Sequence, residues 1–108
     1  MARNKGQRGE REVVKILVDA GYTAARGYQT RGGGKEQPDI VSNFPFRIEV
    51  KYCQTLNIYK AFEQVSIDSP NTDNIVVFRR NGQPWRVALE FDRFLEVINN
   101  GSKFISSK

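Results

Sequence analysis

The spacing of apolar positions changes several times along the chain, and each change marks an element. Val13, Val14, Leu17 and Val18 recur at three- and four-residue intervals, which predicts a helix over 7–20 with one buried face. Gly21 follows as a left-handed cap. Residues 22–29 read as a strand, 30–37 as a loop around Gly32-Gly33-Gly34, and 39–42 as a short strand. Asn43-Phe44-Pro45 reads as a turn. From Phe46 to Tyr52 the alternation is strict: Phe46, Ile48, Val50 and Tyr52 share one face, and Arg47, Glu49 and Lys51 the other. A helix is expected over 59–67, then a loop at Ser69-Pro70-Asn71. Residues 74–80 and 84–90 form a hairpin joined by the two-residue turn Asn81-Gly82. Asp92 caps a last helix that runs to Asn99 and closes at Asn100-Gly101. This order predicts an α/β fold: a single domain over 7–101 whose mixed sheet is flanked by helices. Residues 1–6 are expected to be a flexible basic arm and 102–108 a frayed tail.

Charge adds a direction to this picture. The chain has 108 residues and a formal charge of +5. Residues 1–35 hold eight basic and three acidic side chains, while 36–108 hold nine of each, so the whole excess lies in the first third. A basic stripe on an otherwise neutral domain points to a polyanion such as DNA. The segment lacks the bulky apolar face of a membrane-surface helix, and no apolar run is long enough to span a bilayer or to serve as a secretory signal. There is no histidine and one cysteine, Cys53, which reads as core filler. Cys/His zinc sites and histidine-based catalysis are thereby excluded. An enzyme with this composition works with carboxylates, lysine or an oxygen-held metal.

The candidate chemistry follows from the alternating strand. If the turn centres on Phe44, Asp39 lies directly opposite Glu49 with their Cβ atoms about 5 Å apart. Two facing carboxylates repel unless something positive lies between them, and a divalent cation such as Mg²⁺ fits. Lys51, on the same face, is placed to position a water and to stabilise charge on a phosphate. Glu10 lies on the inward stripe of the first helix. It is either a third carboxylate of the site or a first-turn residue whose charge suits the helix dipole. Glu12 falls on the opposite face and is expected to be a surface residue paired with Lys15.

These segments together resemble a known family. Lys5-Gly6-Gln7-Arg8-Gly9-Glu10-Arg11-Glu12, the isolated Arg26, Pro38-Asp39-Ile40 and Ile48-Glu49-Val50-Lys51 are similar to archaeal-type Holliday junction resolvases. Those belong to the PD-(D/E)XK nuclease superfamily and have small phage-encoded as well as archaeal members. The resemblance covers about residues 4–67. It implies a restriction-endonuclease-like α/β core and an endonuclease that cuts four-way DNA junctions in pairs as a two-fold homodimer. It also implies a cytoplasmic, intracellular location, with which the lone cysteine and the lack of a secretory signal are consistent. Asp39 and Glu49 would bind Mg²⁺ or Mn²⁺, Glu10 would complete the site directly or through water, and Lys51 would assist the attacking water. Arg11 and Arg26 would contact phosphates near the cut. Gln64 matches a glutamine of some superfamily members, and Thr30 is the hydroxyl nearest to a serine that the family often carries before the aspartate.

The remaining cations divide by position. Arg3, Lys5 and Arg8 extend the basic segment over DNA, and Arg31 and Lys35 flank the triglycine loop, which either swings over a bound strand or is an ordinary loop. Arg79 and Arg80 read as solvated hairpin charges that could extend the DNA surface, and Phe78 and Trp85 as core or a dimer contact. Two other functions fit the same residues: a different repair or restriction nuclease of this superfamily, and a non-catalytic DNA-binding module on the same scaffold.

Overall fold

A computed structural model describes residues 2–27, 39–68 and 73–106, with side chains over 6–27, 39–66 and 73–100. The order of elements is α1 (Ala2–Asp19), β1 (Ala24–Arg26), β2 (Ile40–Ser42), β3 (Arg47–Tyr52), α2 (Ile58–Asp68), β4 (Asn74–Arg79), β5 (Arg86–Ala88) and α3 (Phe91–Ser106). Helix α1 therefore starts at Ala2, where the sequence suggested a flexible arm. It ends as expected: the Tyr22 amide donates to the Leu17 carbonyl at 3.0 Å, and the Gly21 amide to Val18 at 3.0 Å. Gly21 takes φ 104°. This is a Schellman cap, which satisfies the last carbonyls and turns Tyr22 into the core. Asn57 caps helix α2: its carbonyl accepts the Ala61 amide and its side chain accepts that of Lys60.

The strands form a mixed sheet in the order β3-β4-β5 and a separate two-stranded ribbon, β1-β2. Strands β3 and β4 are parallel, Lys51 opposite Phe78 and Tyr52 opposite Arg79, with α2 as the crossover between them. Strand β5 returns antiparallel to β4. One face of the sheet carries Ile48, Val50 and Ile75 against Val13 and Leu17 of α1, joined by Ile40 of the ribbon. On α2, Ala61 and Val65 are buried, as is Val76, which has no solvent exposure. Apolar burial on both faces of β4 is what a parallel pair flanked by helices requires.

Three expectations are corrected here. Strands β2 and β3 do not form a hairpin about Phe44; β2 pairs instead with β1, with Ala25 opposite Val41. Asn43 extends that ribbon through both its amide and its side chain, which engage the Thr23 backbone. Phe44 packs edge-on against Tyr22 at 5.0 Å and tilted against Phe46 at 5.8 Å. Core packing of these rings thus overrides the tight turn that Asn and Pro suggest. The β4–β5 connection is also looser than a two-residue Asn-Gly turn. Its register centres on Gly82, which has φ 77°, and the Gln83 amide closes onto the Arg80 carbonyl at 3.1 Å. Finally, Asp92 is not the cap of α3. Glu90 accepts the first helical bond from Phe94, Asp92 lies inside the first turn, and the helix continues through Asn100-Gly101 to Ser106.

Candidate active site

The ribbon and β3 meet at Asp39. This residue sits just before β2, and its carbonyl accepts the Gly27 amide at 2.8 Å, continuing the ribbon's ladder. Its carboxylate Oδ2 accepts the Val50 amide of β3 at 2.8 Å. A side chain thus supplies the acceptor that a neighbouring strand would have offered, and this brings Asp39 beside Glu49 without a hairpin. Glu49, next in the chain to Val50, is one of the groups that hold the Asp39 carboxyl down against burial. Its Oε2 is 3.4 Å from Lys51 Nζ, as expected for side chains two apart on one strand face. The sequence places Asp39 opposite Glu49 across a hairpin; the structure joins Asp39 instead to the Val50 amide, next in the chain to Glu49.

Burial pushes the Asp39 carboxyl above the ordinary aspartate range. The Val50 amide and the charges of Lys51 and Arg47 oppose that shift without cancelling it. Glu10 is raised as well, first by burial and further by the nearby Asp39 charge, against the pull of Arg26. Arg26 is 6% exposed, and its Nε donates to Glu10 Oε1 at 3.2 Å. The resemblance implies a phosphate contact for Arg26; in the structure it is a buried cation paired with Glu10. Paired, desolvated carboxylates of raised pKa are a chemistry that a hard divalent cation relieves, and Asp39 with Glu49 fits such an ion. Among the described residues no group of three acidic or thiol side chains is gathered tightly enough to hold a metal alone. The remaining ligands of an ion would be waters or substrate oxygens.

The other site candidates are more scattered. Arg11 is exposed on α1, and Gln64 is exposed on α2. Arg8 is exposed too, with its guanidinium 5.7 Å from the Tyr52 ring centroid. Arg3 and Lys5 lie on the first turns of α1, outside the described side chains, and Thr30, Arg31 and Lys35 lie outside the described residues.

Glu12 is the residue that the sequence reading misplaced. Its Oε1 accepts the Trp85 indole N–H at 3.0 Å and lies 3.5 Å from Arg79 Nη1, while Oε2 accepts Arg8 Nε at 3.1 Å. Lys15, its expected partner, pairs with Asp19. Arg79 in turn stacks over Tyr52 at 4.6 Å and donates to its hydroxyl at 2.8 Å. The apolar stripe of α1 gave no sign of this second contact face because its centre is Gly9, which is buried yet has no side chain to count. A Cβ there would approach Tyr52 Cβ to 3.0 Å and the Trp85 ring to 3.3 Å. The helix is therefore clamped on two flanks: Glu10 to Arg26 on one, and Glu12 to the hairpin on the other.

Known proteins bear on this arrangement in three ways. The solved structure of Archaeoglobus fulgidus Hjc, a Holliday junction resolvase from an archaeal hyperthermophile, is similar with a TM-score of 0.56 and 26% identity. The match covers 76% of this chain and 73% of that one. A comparison with curated protein sequences finds no match. The family described as archaeal Holliday junction resolvase (Hjc) matches residues 1–102, nearly the whole chain, and so the protein belongs to that family.

Proposed function

We propose that the protein is a metal-dependent endonuclease that resolves four-way DNA junctions by paired phosphodiester hydrolysis. Membership of a resolvase family supports nuclease action on DNA junctions. The observation that carries the finer reading is the Asp39–Glu49 pair with Lys51 beside it. Asp39 and Glu49 would hold Mg²⁺, with Mn²⁺ as a substitute, and Glu10 would act at the edge of that site, directly or through a water. The ion would supply positive charge for the scissile phosphate and an acidified water. Lys51 is close enough to orient a nucleophile and to offset charge developing on phosphate. Arg26 keeps Glu10 in place, and the exposed cations of α1 face the backbone of the DNA. Hydrolysis would leave 5′-phosphate and 3′-hydroxyl ends.

Paired cuts call for two active centres, and α3 offers a surface for a second copy. Phe91, Phe94, Leu95 and Ile98 follow one another at helical spacing and are 72%, 44%, 41% and 47% exposed. An apolar stripe of this kind is characteristic of a helix that packs against another. A homodimer joined across α3 fits the two-fold symmetry of the substrate.

The test is cleavage of a synthetic four-way junction beside a linear duplex of the same sequence, with and without Mg²⁺. Junction-selective cutting that needs the metal and disappears in Asp39→Asn is expected. Metal-independent cutting, or full activity in that variant, would refute the assignment.

A further inference from the structure

Past the end of β3, the chain and the β4–β5 turn enclose a cleft of about 270 Å³. Its walls include Gln54, Phe78, Arg79, Arg80, Gln83 and Arg86, three guanidinium-bearing residues with no acidic residue among the lining. The three are not equally committed. Arg79 is held by Tyr52, Trp85 and Glu12, although its buried Nε has no acceptor. Among the described residues the Arg86 guanidinium donates only to a neutral partner, Gln83 Oε1 at 3.2 Å. Among the described residues neither Arg80 nor Arg86 has a carboxylate within ion-pair distance. Gln54 accepts the Asn81 amide at 2.8 Å through its Oε1, which ties the cleft's two walls together and leaves its NH₂ group to donate. Three like charges around one small cleft repel each other, and an anion relieves that repulsion.

The cleft also has a fixed relation to the candidate active site. Phe78, in its wall, is the register partner of Lys51, and Cys53, also in the wall, is two residues beyond Lys51, just past the end of β3. Two strand residues span about 7 Å. A DNA strand cut beside Lys51 would carry a neighbouring backbone phosphate toward this opening.

We propose that the cleft is a second phosphate site, in which Arg80 and Arg86, with Gln54, bind a phosphodiester group of the DNA strand flanking the cut. Its ligand being DNA rests on the nuclease reading above. The planar guanidinium forks match phosphate oxygens better than lysine would.

The experiment uses the full chain carrying Asp39→Asn, so that no cutting occurs. Binding to a fluorescent four-way junction is followed by anisotropy over a range of salt concentrations, and inorganic phosphate is titrated in parallel by thermal shift. Combining Arg80→Gln with Arg86→Gln should lower the slope of log affinity against log salt by about one for each cleft that engages the junction, since each phosphate contact contributes about 0.9. It should also abolish any stabilisation by inorganic phosphate. Lys60→Gln, a change at an exposed cation on α2, should leave the slope as it was. Arg80→Lys combined with Arg86→Lys should restore most of the slope and little of the tight binding. An unaltered slope in the double glutamine variant, with circular dichroism showing a folded protein, would overturn the proposal. So would loss of phosphate stabilisation without any change in DNA binding, which would mark a site for free phosphate alone. Failure of the nuclease reading looks different: the chain with Asp39 intact would leave the junction uncut in Mg²⁺, whereas the salt slopes of the Asp39→Asn series still report on the cleft.

Discussion

Removing the Glu12 carboxylate tests whether the clamp between α1 and the hairpin contributes to stability. In Glu12→Ala the Trp85 indole N–H, now 3.0 Å from Glu12 Oε1, loses its acceptor in a half-buried setting. An unsatisfied donor of this kind costs about 1–2 kcal/mol. Arg79, whose side chain is 20% exposed, loses its carboxylate at 3.5 Å, which adds about 1 kcal/mol. The bond to Arg8 contributes less than about 0.5 kcal/mol, because that side chain is 63% exposed. Together the loss is about 2–3 kcal/mol, or roughly 8–20 °C in Tm for a domain of this size. Glu12→Gln keeps an oxygen for the indole and should lose only about 1 kcal/mol. The assay is urea unfolding of the metal-free protein, followed by far-UV circular dichroism and by the fluorescence of Trp85, the single tryptophan. A double-mutant cycle with Trp85→Phe should return a coupling of about 1 kcal/mol. Destabilisation by Glu12→Ala within about 0.5 kcal/mol, or zero coupling, would show that the clamp does not exist in solution and that Glu12 is the surface residue its helical phase suggests.

Gly9→Ala should destabilise by about 1–3 kcal/mol in the same unfolding assay, because overpacking against Tyr52 Cβ exceeds the gain of about 1 kcal/mol in helix propensity; a more stable variant would refute the close approach. Asp39 and Glu10 both titrate above their ordinary ranges in the folded protein, so the native state binds their protons more tightly than the unfolded chain does. Their contribution to stability is present below the ordinary carboxylate range and is lost as pH rises through the raised values, a decline that Asp39→Asn should shrink in metal-free urea titrations. Metal binding needs the deprotonated carboxylates, so Mn²⁺ affinity measured by calorimetry should rise over that same pH window and be largely lost in Asp39→Asn. Leu95→Glu, on the exposed stripe of α3, should convert a dimer to monomer in sedimentation experiments while leaving the monomer's fold intact; an unaltered sedimentation coefficient would move the dimer contact elsewhere.

How far the sequence spoke depends on the kind of contact. Helix α1, its Gly21 cap and strand β3 were legible because local apolar spacing and a single left-handed glycine determine them. The proximity of Asp39, Glu49 and Lys51 was legible for a partly wrong reason. The expected hairpin register and the actual side-chain-to-amide bond at Val50 both bring residue 39 to the middle of β3. What could not be read was the partner of β2, since pairing with β1 is settled by how Tyr22, Phe44 and Phe46 pack together. The burial of Arg26 could not be read either, because nothing local marks a buried cation that Glu10 compensates. Glu12 was misjudged because a helical wheel weighs side chains, and the residue that lets Tyr52 and Trp85 approach α1 is a glycine.

The bond from the Val50 amide to Asp39 has a consequence for how this position can be probed and altered. One carboxylate oxygen is committed to the backbone of β3, so the residue is a piece of sheet architecture as well as an acid. Substitutions divide accordingly. Asparagine keeps an oxygen for the amide and changes only charge, whereas alanine also leaves a donor stranded at the seam between ribbon and sheet. Inactivity of an alanine variant would therefore mix a chemical loss with a mechanical one, and only the isosteric amide separates the two. The same double duty makes residue 39 intolerant of drift even in a descendant that no longer cut DNA: the acid could fade, but the acceptor would have to stay.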